Sequence, residues 1–131
     1  MLDHAANILN VHAGAWAAAA WSHLFDGAPD AARTRFERAA ALDRGFADAH
    51  GGLAVVCIHE GHIDEAKRHA EIARRLDAAC LSAALAESLL AARTGDERKA
   101  DEIRQAALDR PLGADGRTLA QALSMRAGRG A

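Results

Sequence analysis

Stretches almost free of charge alternate along this chain with stretches where charged and apolar residues interleave at helical spacing. From Val11 to Phe25 and from Ala49 to Ile58 there is no Asp, Glu, Lys or Arg, and Leu81 to Ala92 holds only Glu87. The charge lies between them: Arg33, Arg35, Glu37 and Arg38, then Lys67, Arg68, Glu71, Arg74 and Arg75, then Glu97 to Arg104. Gly27, Gly61 and Gly95 follow closely on the three uncharged stretches. A glycine just past the last periodic residue is a common helix stop, because it enters the left-handed region without a Cβ clash. The pattern predicts first helices over 14–26, 48–60 and 82–94, and second helices over 29–43, 63–77 and 96–109. Pro29 suits the opening of a second helix, where its missing N–H has no intrahelical partner to lose. A helix apolar all round is usually buried on all sides, whereas the charged second helices read as solvated on one face.

The helices repeat. Gly27, Gly61 and Gly95 are 34 residues apart, as are Ala32, Ala66 and Ala100, and Ala39, Ala73 and Ala107. In a chain with 35 alanines and 11 glycines the glycine spacing is the weightier evidence. ALDRGFADAH after the first unit and RLDAACLSAA after the second agree with the same period. The units run 13–46, 47–80 and 81–112. On these residues the chain resembles the tetratricopeptide repeat family, whose unit is 34 residues long. Trp16, Gly27, Ala32, Phe36 and Ala39 fall on signature positions of the first unit, and Leu53, Ala54, Gly61, Ala66 and Ala73 on those of the second. The third keeps Gly95, Ala100 and Ala107, but Arg104 stands in the bulky apolar slot and Glu87 in the leucine slot. Arg44 and Ala78 replace the family's closing proline, and only Pro111 comes close.

The resemblance implies an all-α fold: a right-handed α-solenoid of stacked antiparallel helix pairs, with the first helices lining a concave groove. It places Ala17, Trp21, Leu24, Gly51, Val55, Ile58, Leu85 and Leu89 on that groove and Trp16 at the packed position between helices. Residues 1–12 read as a partial helix of a preceding unit or an N-terminal cap. Residues 113–126 read as a C-terminal capping helix, centred on DGRTLAQALSMR (115–126), because solenoid ends need their apolar face covered. Residues 127–131 read as a disordered tail.

Composition narrows the functions. A net charge of −2 argues against a nucleic-acid footprint. VHAGAWAAAAWSHLF is too short to cross a bilayer, and no basic segment opens a signal peptide, so a cytoplasmic protein is expected. Abundant Ala and Arg hint at a GC-rich bacterial source. Cys57 and Cys80 read as small buried thiols, with no disulfide framework and no zinc spacing. HEGHIDEA, residues 59–66, gathers two histidines and three carboxylates. Its histidines are three apart with Gly61 between them, so they do not share a helical face as H-E-x-x-H requires; the stretch reads as a turn rather than a metal site. His50 and Cys57 are seven apart, roughly 10 Å along a helix, too far for a thiolate–imidazole pair. No catalytic residue, metal ligand or cofactor is assigned, and no enzyme is expected.

The expected function is a non-catalytic scaffold that binds an apolar segment of a protein or peptide in the groove. None of the groove residues is Lys, Asn or Arg, so the carboxylate clamp of the family's best-known peptide binders is not expected. Two alternatives stay open: a self-associating structural module or piece of a longer array, and a chaperone like the three-unit bacterial secretion chaperones.

Overall fold

The structure, a computed structural model, describes residues 2–109, 111–112 and 117–118, with side chains from Val11 to Asp109. Six helices follow one another: α1 (Leu2–Phe25), α2 (Pro29–Leu42), α3 (Ala47–His59), α4 (Ile63–Leu76), α5 (Leu81–Arg93) and α6 (Glu97–Leu108). The period survives in the boundaries. α2, α4 and α6 begin 34 residues apart, and so do the ends of α1, α3 and α5. Each odd helix packs against the even helix that follows it, and α3 lies beside both α1 and α5, which makes a stack of three helix pairs.

Glycine sets the turn within each pair. Gly27, Gly61 and Gly95 have φ of 79°, 81° and 85°, values that side-chain-bearing residues rarely adopt. The same two bonds close each turn. Gly27 N–H donates to Leu24 O at 3.1 Å and Ala28 N–H to His23 O at 2.8 Å, and the set recurs at Gly61–His62 and Gly95–Asp96. This is the Schellman arrangement, which satisfies carbonyls that a helix end would otherwise leave bare. HEGHIDEA is therefore the turn of the second pair, with His62 N–H on Cys57 O at 2.8 Å.

Small residues hold the pairs close. Ala32, Ala66 and Ala100 are fully buried, as are Ala39 and Ala73. Gly52 allows Phe36 of α2 to lie on the α3 backbone, since a Cβ at residue 52 would overlap the phenyl ring. Gly51 does the same for α5: a Cβ there would overlap the Ser82 side chain. Every residue from Gly51 to Ile58 is buried, as an apolar helix flanked on both sides should be.

The ends differ from expectation. α1 runs unbroken from Leu2 to Phe25, so residues 2–12 continue the first helix instead of forming a separate one from a preceding pair. With no proline or glycine before Gly14, nothing there forces a break. Pro111–Leu112 (β1) pairs antiparallel with Arg117–Thr118 (β2), so the capping helix expected to start at 115 does not include 117–118. Pro111 cannot donate a backbone hydrogen bond, which disfavours it in a helix interior. Residues 119–126 of that expected helix and the tail 127–131 lie outside the described residues.

Candidate functional site

Two features stand out among the described residues: an apolar cleft and a polar cluster in the second helix pair.

The cleft, of about 450 Å³, is lined by Trp21 and Phe25 of α1, Asp48 of α3, Leu81, Ser82, Ala84 and Leu85 of α5, and Arg104, Ala107 and Leu108 of α6. Trp21 is its fixed wall. The indole Nε1–H donates to Asp48 Oδ2 at 3.1 Å, the ring meets Phe36 edge-on at a centroid distance of 5.1 Å, and Phe25 stacks on it at 6.1 Å. Phe25 and Leu85 are uncovered, at 81% and 41% exposure. Arg104 stands at the rim in an ion pair with Asp101.

Of the eight residues that the sequence placed on a groove, Trp21 and Leu85 line this cleft. Leu24 and Leu89 are half-buried and pack against the core clusters. Ala17, Gly51, Val55 and Ile58 are buried, which corrects their assignment to an open surface. The reason is the stacking of neighbours. Gly51 receives Ser82 of α5, whereas Leu85, 34 residues further on, has no described helix stacked beyond it and stays exposed. Trp16 is also corrected: it is 36% exposed with the Arg38 guanidinium 5.4 Å above its ring, and Trp21 is the tryptophan that reaches the core. Phe25, Leu81 and Leu108 were missed. Phe25 lies four residues after Trp21, the helical spacing that places two side chains on one face, and that signal was in the sequence.

The polar cluster joins three helices. Arg33 of α2 donates to Glu60 Oε1 at 2.7 Å from Nη2 and 3.1 Å from Nε, to Glu65 Oε1 at 3.3 Å, and to Cys57 Sγ at 3.4 Å. The Glu60 partner, above all, raises the Arg33 pKa beyond its ordinary value. Arg33 in turn holds the Glu65 carboxyl below the usual range. Burial pushes the Cys57 thiol up, against the opposing pull of Arg33. His69 sits one turn after Glu65 on α4, with Nε2 at 3.8 Å from Glu65 Oε1. Its other ring nitrogen meets His50 of α3, Nδ1 to Nδ1 at 3.4 Å, with the two rings nearly parallel and their centroids 5.7 Å apart. Burial lowers both imidazole pKa values, and the neighbouring His50 lowers that of His69 further. His59 and His62 are exposed; HEGHIDEA contributes Glu60 and Glu65 to the cluster, and His62 Nδ1 reaches its edge, 3.7 Å from Glu65 Oε2. His50 and Cys57 remain apart along α3 as expected; it is His69, from the next helix, that comes near the thiol.

No helix among the described residues is long and apolar enough to cross a membrane. The tetratricopeptide repeat family model matches residues 24–92, just over half of the 131-residue chain. No curated protein matches it.

Proposed function

The chain belongs to the tetratricopeptide repeat family, whose repeats generally mediate protein–protein interaction, and on that premise we propose that it is a non-catalytic scaffold. It takes an apolar segment of a partner protein in the cleft between Trp21, Phe25, Leu81, Leu85 and Leu108. The carrying observation is that Phe25 and Leu85 stand uncovered beside an indole already fixed by Asp48 and Phe36. An anchor held in place before binding loses little freedom when a partner arrives. Covering a fully exposed Phe is worth about 1.5–3 kcal/mol; Phe25 can gain most of that and Leu85, already more than half covered, a smaller part, and interface energy concentrates on such aromatic anchors. The volume, about 450 Å³, suits a few apolar side chains and falls within the range of roughly 300–1,000 Å³ typical of ligand pockets.

Panning a displayed peptide library against the full chain tests this reading. Enriched sequences should carry clustered apolar residues, and Phe25→Asp and Leu85→Asp should each weaken their binding at least tenfold without changing the circular dichroism. Both positions are exposed, so a folding defect is not expected. Enriched peptides that bind both variants as well as the parent would refute the cleft as the docking site.

A further inference from the structure

The polar cluster in the second helix pair is more than a brace for Arg33. The geometry points to a metal site in which Cys57 Sγ, a Glu65 carboxylate oxygen and His69 Nε2 bind one Zn²⁺-like ion and leave a fourth position open. The three ligand atoms lie within 4.8 Å of one another. Two come from one helix: Glu65 and His69 are four apart on α4 and so share a face, while the Gly61 turn folds Cys57 of α3 against them. Zinc takes thiolate, imidazole and carboxylate ligands at about 2.0–2.3 Å in a tetrahedral arrangement, which separates its ligand atoms by roughly 3.3–3.8 Å. His69 Nε2 and Glu65 Oε1 are 3.8 Å apart, and with all three atoms within 4.8 Å of one another the ligands need to draw together by about 1 Å to hold an ion.

Three further features match what such a site requires. The first is the tautomer. A ligating imidazole usually donates its other ring N–H to a neighbour, which fixes the ring and frees the ligating nitrogen. His50 Nδ1 stands 3.4 Å from His69 Nδ1 and can accept that hydrogen, leaving His69 Nε2 with its lone pair towards Cys57 and Glu65. The second is position: both imidazoles are half-buried, with the His69 ring set between His50 on one side and Glu65 on the other. The third is charge. A thiolate at Cys57 with Glu60 and Glu65 gives three negative charges, and Arg33 with a divalent ion gives three positive ones. On binding, the metal–sulfur bond forms as the Cys57 S–H bond breaks, the electron pair stays on sulfur and the proton leaves to solvent. Arg33 Nη2, 3.4 Å from the sulfur, then donates to the thiolate as an outer partner. An ion can enter from the Glu65–His69 side, because those side chains are 35% and 21% exposed while Cys57 is buried. A mixed sulfur, nitrogen and oxygen set with an open position favours zinc over the hard cations magnesium and calcium, which take oxygen ligands.

Cobalt(II) makes the site visible, since a bound thiolate gives a sulfur-to-metal charge-transfer band. The full chain, stripped with a chelator and kept reduced, is titrated with Co²⁺ alone and then with Zn²⁺. One equivalent of Co²⁺ should produce tetrahedral ligand-field bands with a single thiolate charge-transfer band, and one equivalent of Zn²⁺ should erase both. Cys57→Ser should abolish the band, and Cys80→Ser should keep it. His69→Gln and Glu65→Gln should each weaken binding tenfold or more, and His50→Ala about tenfold, the usual range for loss of an outer partner. No charge-transfer band in the parent protein, a band that survives Cys57→Ser, or unchanged affinity in His69→Gln would each overturn the site. So would Co²⁺ binding that is lost in His59→Ala or His62→Ala but not in His69→Gln. Should Cys57→Ser fail to fold, the parent spectrum and the partly exposed His69 position still decide.

Discussion

At Gly52 an ordinary rule of helix stability reverses. Replacing a mid-helix glycine with alanine usually gains about 1 kcal/mol, because glycine loses more freedom on folding. Here a Cβ would overlap the Phe36 ring, which is itself fully buried and cannot move outward. Gly52→Ala should therefore destabilise the protein by about 1–3 kcal/mol through overpacking. The next interface along the stack supports this reading, because the equivalents of Phe36 and Gly52 are Ala70 of α4 and Ala86 of α5, both buried in one cluster. Between α2 and α3 a large residue meets one without a side chain, and between α4 and α5 two small residues take the equivalent places. Phe36→Leu should recover part of the loss when combined with Gly52→Ala, although alone it costs stability. Additive effects of the two substitutions in chemical denaturation would show that residues 36 and 52 do not share this space. Composition could not reveal the pairing, since Gly51 and Gly52 look alike in sequence and contact different helices. The two tryptophans illustrate the same limit. Their five-residue spacing puts them on different faces, which was legible. Which face met Phe36 depended on how α2 crosses α1, and the tryptophan assigned to the packed position is the one that Arg38 covers.

Helix pairs were read from sequence more successfully than the surfaces they form. Each turn glycine adopts the left-handed conformation its place in the period required, and the small residues at the fixed positions are buried. These are local consequences of a 34-residue period. The groove and the polar cluster are not local. Val55 and Ile58 are buried because α3 has neighbours on both sides, and Cys57 meets His69 only after α4 folds back across Gly61. The α3–α4 pair carries a further consequence in His50 and His69, which face each other with Glu65, Arg33, Arg68 and Cys57 around them. Both histidines have folded-state pKa values below the ordinary 6.5, with burial the leading cause. The unfolded chain therefore binds these protons first as pH falls. Their contribution to stability is present above about pH 6.5 and is lost as pH falls through the folded values. Glu65, held low by Arg33, adds a second loss at more acidic pH. In the presence of chelator, the melting temperature should decline between pH 7 and 5, and His50→Gln with His69→Gln should flatten that decline. A decline of the same size in the double variant would place the responsible groups elsewhere.

Across the whole molecule, stability should be graded along the stack. A solenoid's stability is approximately a sum over its units and the interfaces between them, so a central element gains from two neighbours and an end element from one. The burial follows that order. In α3 ten residues are buried, including the whole run from Gly51 to Ile58, whereas in α6 only Ala100 and Ala107 are. The sequence already showed why α6 is the weaker partner, with Arg104 where the first pair has Phe36 and the second has Ala70. Its Asp96 cap, which accepts from Lys99 N–H at 3.0 Å, steadies the first turn but adds nothing to the core. Amide exchange reports opening free energies helix by helix. The amides of Leu53 to Cys57 should exchange slowest, through opening close to global unfolding, and those of α6 fastest among α2 to α6. Apolar ligand in the cleft should slow α6 in particular, because Arg104, Ala107 and Leu108 line it together with α1 and α5. Metal at Cys57, Glu65 and His69 should instead slow α3 and α4, so the two ligands leave different imprints on one exchange map. Uniform protection from α2 to α6 would mean that the stack opens as one unit, and the graded solenoid would have to be abandoned.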